Sequence, residues 1–152
     1  MLDLEEELAG LIDALSDAEI DYALCGGLAL AIHGAPRATI DIDLLVREQD
    51  LERVTGVARD QGFLIRAFPM TFSGGAMRIE RVTKIDPRDG ETLMLDLLLV
   101  THASESVWAA REKRSWRGRD LSVVSVEGLI VLKRFRSSKQ DLADIDRLQE
   151  LQ

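Results

Sequence analysis

The stretch YALCGGLALAIHGAPRATIDIDLLV, Tyr22 to Val46, constrains this chain more than any other. In its second half Ile40, Ile42, Leu44 and Leu45 give the β-branched, apolar content of a strand, where residues i and i+2 project from one face. Asp41 and Asp43 are therefore expected side by side. Two carboxylates so placed repel each other, so at neutral pH one stays protonated or a cation sits between them. Mg²⁺ suits such a pair, because it takes a few carboxylates together with water and substrate phosphate oxygens. Taken alone, so short a pattern reads more readily as a solvated strand edge with its apolar residues facing in.

The first half shifts that balance. Tyr22 to Cys25 reads as a short buried strand, Gly26-Gly27 breaks it, and Leu28 to His33 reads as an apolar helical segment closed near Gly34. A glycine pair between strand and helix lets backbone N–H groups approach phosphate oxygens at the positive end of the helix dipole. The plainer alternative is a tight turn. What raises the combination above its parts is the spacing, thirteen residues between Gly27 and Asp41.

Gly-Gly, a spacer of this length, then Asp-x-Asp between apolar residues resembles the signature of the polymerase-β-like nucleotidyltransferase superfamily. The fuller run, with Ala29, Gly34, Arg37 and Thr39 in place, is similar to its small bacterial branch. That branch holds the minimal nucleotidyltransferases and the AbiEii-like toxins of type IV toxin–antitoxin pairs. The resemblance implies that Asp41 and Asp43 are metal ligands, that Gly26 and Gly27 hold the nucleoside triphosphate, and that Arg37 and Thr39 shape the loop.

Leu93 to Val100 is apolar at every position except Asp96, as expected of a central strand covered on both faces. A carboxylate there costs several kcal/mol if left unpaired, so it needs a partner. One alternative is a salt bridge to an arginine. The other, which the resemblance supports, is a third metal ligand beside Asp41 and Asp43. Three convergent carboxylates suit two Mg²⁺ ions bridging the attacking and leaving oxygens of an in-line displacement at phosphorus, with Asp96 accepting the proton of the incoming hydroxyl. An Asp96 turned away, or neutralised by a buried arginine, would leave only a likeness in shape.

The tail SVEGLIVLKRFRSSKQDLADIDRL gives two helices broken near Ser137-Ser138, with Ser138 and Asp141 forming a capping box. By resemblance Lys133 is the phosphate-binding lysine, and Asp141 and Asp144 brace it or line the site. The chain departs from the family pattern in placing Gln140 before Asp141, where a lysine is usual. Read without the resemblance, Lys133 belongs to an exposed helix face, and Asp141 is a helix N-terminal charge favoured by the dipole.

The 152 residues are most economically one α+β domain, a mixed sheet of about five strands with helices mainly on one side. The remaining periodicities place amphipathic helices over 2–15 and 47–60, strands over 63–67 and 78–85, and a loop with a hairpin turn over 69–75. A further helix is expected over 104–112 and a hairpin from Lys113 to Val124. No membrane-spanning run is present, the first ten residues are acidic where a signal peptide is basic, and the single Cys25 permits no internal disulfide. A cytoplasmic location is expected. Net charge is −8, yet residues 111–139 carry 9 basic and 3 acidic residues. That segment is either a basic rim for a polyanion or a solvated surface. The candidate acceptors are a tRNA end, slightly favoured by the basic segment, a tyrosine or serine hydroxyl on an antitoxin-type partner protein, or a small molecule such as an aminoglycoside. A non-catalytic partner-binding module of the same fold is the alternative reading.

Overall fold

The computed structural model describes residues 2–152. Helix α1 (Leu4–Asp17) begins where the Asp3 side chain accepts a hydrogen bond from the Glu6 N–H, and Glu5, Glu6 and Glu7 in its first turn suit the dipole. Leu8, Leu11, Ile12 and Leu15 are its buried stripe. The chain continues through β1 (Ala23–Cys25), α2 (Gly26–Ile32), β2 (Ile42–Val46), α3 (Leu51–Asp60), β3 (Phe63–Arg66), β4 (Met70–Phe72), β5 (Met77–Ile85) and β6 (Thr92–Leu99). It ends with α4 (Glu105–Ala109), β7 (Glu112–Trp116), β8 (Arg119–Val123), α5 (Val126–Arg136) and α6 (Lys139–Glu150).

The strands form one mixed sheet in the order β3-β5-β6-β2-β1-β8-β7, with β4 paired to β5 outside that path. Among the described residues the sheet has eight strands rather than about five, because the hairpin β7-β8 joins it beside β1 and β4 adds to β5. The expected loop over 69–75 contains β4, and the expected helix over 104–112 stops at Ala109 so that Glu112 opens β7. Helices stand on both faces, not mainly on one. Lys84 of β5 bonds Glu7 of α1 and the Gln61 carbonyl behind α3. Arg81, three residues earlier and so on the opposite face, lines a pocket with Leu129, Leu132 and Lys133 of α5.

Strand β6 is central, as its apolar run requires, lying antiparallel to β5 and parallel to β2. The registers decide what meets in the middle. Asp43 pairs with Asp96 across β2 and β6, and Asp96 pairs with Arg81 across β6 and β5. Side chains in register on adjacent strands share a face, so two acids and an arginine form one row. No helix among the described residues is long and apolar enough to cross a membrane.

Candidate active site

The row opens into a pocket of about 430 Å³ that also takes in Gly26, Gly27, Arg37, Thr39, Asp41, Lys133, Arg136 and Asp141. The residues singled out from the sequence thus meet at one place, with Arg81 and Arg136 added. Asp41 lies one residue ahead of β2, and its Oδ1 is buried without a hydrogen-bond partner. Burial, and then the charge of Asp96, raise its pKa above the ordinary carboxylate value. Burial followed by the charges of Asp96 and Asp41 push Asp43 up to about 7. An orphaned carboxylate oxygen beside a carboxyl held near neutrality is a donor set short of positive charge, and it fits a hard divalent cation.

Asp96 is placed differently from its neighbours. It lies on the pocket wall, 2 % exposed, and Arg81 grips it with two bonds, Nε to Oδ1 at 2.7 Å and Nη2 to Oδ2 at 3.0 Å. The arginine alternative is therefore realised in geometry. Arg81 is nonetheless not buried, since 31 % of its side chain is accessible and it lines the pocket. Among the described residues no three His, Cys, Asp or Glu side chains form a ready-made metal cluster. Asp41 and Asp43 are what remain for a cation, with Asp96 held beside them by Arg81.

The glycine pair makes room for these side chains. Gly26 has φ +68°, and a Cβ there would lie 2.1 Å from Asp43 Oδ2 and 2.6 Å from its Cγ. A Cβ on Gly27 would meet Thr39 Oγ1 at 2.6 Å. Helix α2 begins at Gly26 itself, earlier than the apolar run from Leu28 suggested. Gly26→Ala combines an unfavourable left-handed conformation with an overlap that must displace Asp43. It is expected to cost about 1–3 kcal/mol in urea denaturation and to reduce divalent-cation binding with it.

The opposite wall is a buried ionic network joining the tail to the loop before β2. Asp144, fully buried, accepts Arg37 Nε and Nη2 at 2.9 and 3.0 Å, Lys133 Nζ at 2.9 Å and Gln140 Nε2 at 2.8 Å. Burial alone would raise its pKa, but these bonds win and hold it below the ordinary value. Asp141, also fully buried, takes Arg136 Nε and Nη2 at 2.8 Å each and caps α6 through Ser138. Against the same burial penalty these bonds bring it down to about 2. Lys133 is 6 % exposed and anchored on Asp144, with Asp141 at 3.9 Å. It is a buried brace, not an exposed helix face.

The basic segment is largely used within the molecule. Arg119 pairs with Asp13 and Arg117 with Glu5, both acids of α1, while Arg111 lies 4.1 Å from the Trp108 ring centre. Sequence reasoning missed Arg81 and Arg136. It asked for a partner to Asp96, but strand register, which supplies that partner, leaves no mark in composition.

No protein-family model matches this sequence, and neither does any curated protein. Solved structures do match its shape. The lincosamide antibiotic adenylyltransferase LnuA, in its lincomycin-bound form, superposes with TM-score 0.59 at 15% identity, over 97% of this chain and 98% of that one. ANT(2'')-Ia in complex with adenylyl-2''-tobramycin gives 0.61 at 10% identity, over 93% and 84%. A Thermotoga maritima protein classed as a nucleotidyltransferase, TM1012, gives 0.58 at 15% identity, over 99% and 92%. The fold is that of the nucleotidyltransferases. Identities this low speak for the fold alone, and chemistry has to be argued from the site.

Proposed function

We propose that this chain is a divalent-metal-dependent nucleotidyltransferase, moving a nucleoside monophosphate from a nucleoside triphosphate to a hydroxyl with release of pyrophosphate. The observation that carries the reading is the convergence of Asp41, Asp43 and Asp96 on one pocket wall, where Asp41 keeps a buried oxygen without a hydrogen-bond partner and the pKa of Asp43 is pushed up to about 7. Asp41 and Asp43 would hold Mg²⁺, one ion or two. When bound, the metal neutralises charge on the phosphates and polarises the phosphorus under attack. The acceptor oxygen forms a bond to the α-phosphorus as the bond to the pyrophosphate oxygen breaks. Each Asp96 oxygen accepts one Arg81 N–H and keeps a further lone pair, so Asp96 can take the hydroxyl proton without leaving its arginine. Gly26, Gly27, Arg37, Thr39, Lys133 and Asp141 shape the triphosphate side of the pocket.

A small hydroxylated acceptor is favoured over a tRNA end. The basic segment that supported a polyanion is drawn into intramolecular pairs, and two of the structural neighbours are named with small antibiotics. The second reading is a non-catalytic partner-binding module of a toxin–antitoxin pair, favoured by one observation, the prior pairing of Asp96 with Arg81. Incubation with α-labelled nucleoside triphosphate, Mg²⁺ and aminoglycoside, lincosamide, RNA and protein acceptors separates the two. Label transfer is expected to fall about a thousandfold or more in Asp41→Ala plus Asp43→Ala. Transfer that survives this double change would exclude the carboxylate assignment.

A further inference from the structure

The pocket has an acidic wall and a basic wall, and the charges on the two do not balance internally. On the acidic wall Arg81 stands against three carboxylates, Asp41, Asp43 and Asp96. On the basic wall three cations, Arg37, Lys133 and Arg136, are backed by two buried carboxylates, Asp141 and, behind the lining, Asp144. The surplus positive charge falls on a particular side chain. Arg37 has its Nε and Nη2 on Asp144 and its Nη1 on the Ala38 carbonyl. Lys133 is sealed beneath the surface on Asp144. Arg136 differs: Nε and Nη2 are held by Asp141, Nη1 takes no part in that pair, and 39 % of the side chain is accessible.

The guanidinium is also held in place from behind. Asp141 is itself fixed by the Ser138 N–H and hydroxyl, Ser137 ends α5 in the left-handed region (φ 53°), and the Ser73 hydroxyl bonds the Phe135 carbonyl. A planar fork fixed along one edge, with donors left on the other, loses little freedom when it meets phosphate oxygens.

We infer that Arg136, and not Lys133, is the side chain that receives the outer phosphates of the nucleoside triphosphate. Lys133 and Asp141 serve it as positioning residues. The inference rests on the transferase reading but does not share its test, since it concerns how tightly phosphates are held and not whether transfer occurs.

Titration of ATP, ADP and AMP in Mg²⁺ reads it directly. The wild-type chain is expected to prefer ATP over AMP, and Arg136→Met to weaken ATP about 10- to 100-fold with AMP little changed. Arg136→Lys, which keeps the charge but not the fork, is expected to fall between them. A footprint on the unaltered chain serves if the methionine variant does not fold. Mg²⁺ with ATP, but not AMP, is expected to shield Arg136 from an arginine-specific dicarbonyl reagent, read by mass spectrometry. An unchanged ATP-to-AMP ratio in Arg136→Met, or equal modification of Arg136 under the two nucleotides, overturns the assignment and leaves the transferase reading standing. A wild-type chain that binds no nucleotide overturns both.

Discussion

Replacing Asp43 with asparagine is expected to make the metal-free protein more stable at pH 8 while removing its capacity for transfer. The carboxyl is pushed from its ordinary 3.8 up to about 7 by burial and by the charges of Asp96 and Asp41. A raised folded-state pKa favours the native state while the group is protonated. That contribution is complete below the ordinary value and lost as pH rises through about 7. At pH 8 the wild-type chain without metal therefore carries an ionised Asp43 among like charges, and asparagine removes that repulsion. Allowing for the water in the pocket, the variant should gain about 2 kcal/mol more at pH 8 than at pH 5, or about 4–8 °C in melting temperature. Thermal melts in EDTA at the two pH values check this. Equal shifts at both would mean that Asp43 is not strained. Asp141 and Asp144, whose pKa values are lowered, stay ionised across that range and do not obscure the comparison. A residue that weakens the resting fold and is expected to hold metal is what a functional site, and not a structural ion pair, leads one to expect.

The second large effect concerns the opposite wall. Asp144→Ala leaves the buried ammonium of Lys133 with only Asp141 at 3.9 Å and frees the Arg37 guanidinium that ties the loop before β2 to α6. Breaking a buried pair by removing one partner costs about 3–5 kcal/mol, because the other charge stays buried. A fall of about 10 °C or more in melting temperature at pH 7 is expected. The cost should shrink on acidification. Asp144 is held below its ordinary value, so its stabilisation is present above that value and lost as pH falls through the lowered one. Removing both charges, with Lys133→Met and Asp144→Leu, should restore part of the loss, since an apolar pair of similar volume avoids the desolvation penalty. A double variant as unstable as the single one would show that Asp144 acts through Arg37 alone.

Period-two patterning around Asp41 and Asp43, the glycine pair and the apolar run bearing Asp96 were legible in the sequence because each is a local signal. Asp41, Asp43 and Asp96 do line one pocket. What Gly26 accommodates was legible only in part: the sequence suggested a phosphate at its N–H, and the structure adds that the Asp43 side chain fills the space a Cβ would take. Nor was the partner of Asp96, because Arg81 lies fifteen residues away and meets it only through the antiparallel register of β5 and β6. The tail gave its capping box plainly, Ser138 with Asp141. It did not give the link from Asp144 to Arg37, 107 positions apart, which depends on how the last helix docks. The strand Met70–Phe72 reads as loop in the sequence because three residues are too few for alternation to stand out.

The proposed transfer depends on Asp41 and Asp43 together holding a divalent cation. Titration of the nucleotide-free wild-type chain with Mn²⁺, followed by the loss of the free-ion paramagnetic resonance signal, measures it. Binding that strengthens as pH rises through about 7 and disappears in Asp41→Asn plus Asp43→Asn is the predicted result. Binding of equal strength in that double variant, or none in the wild-type chain, would contradict it.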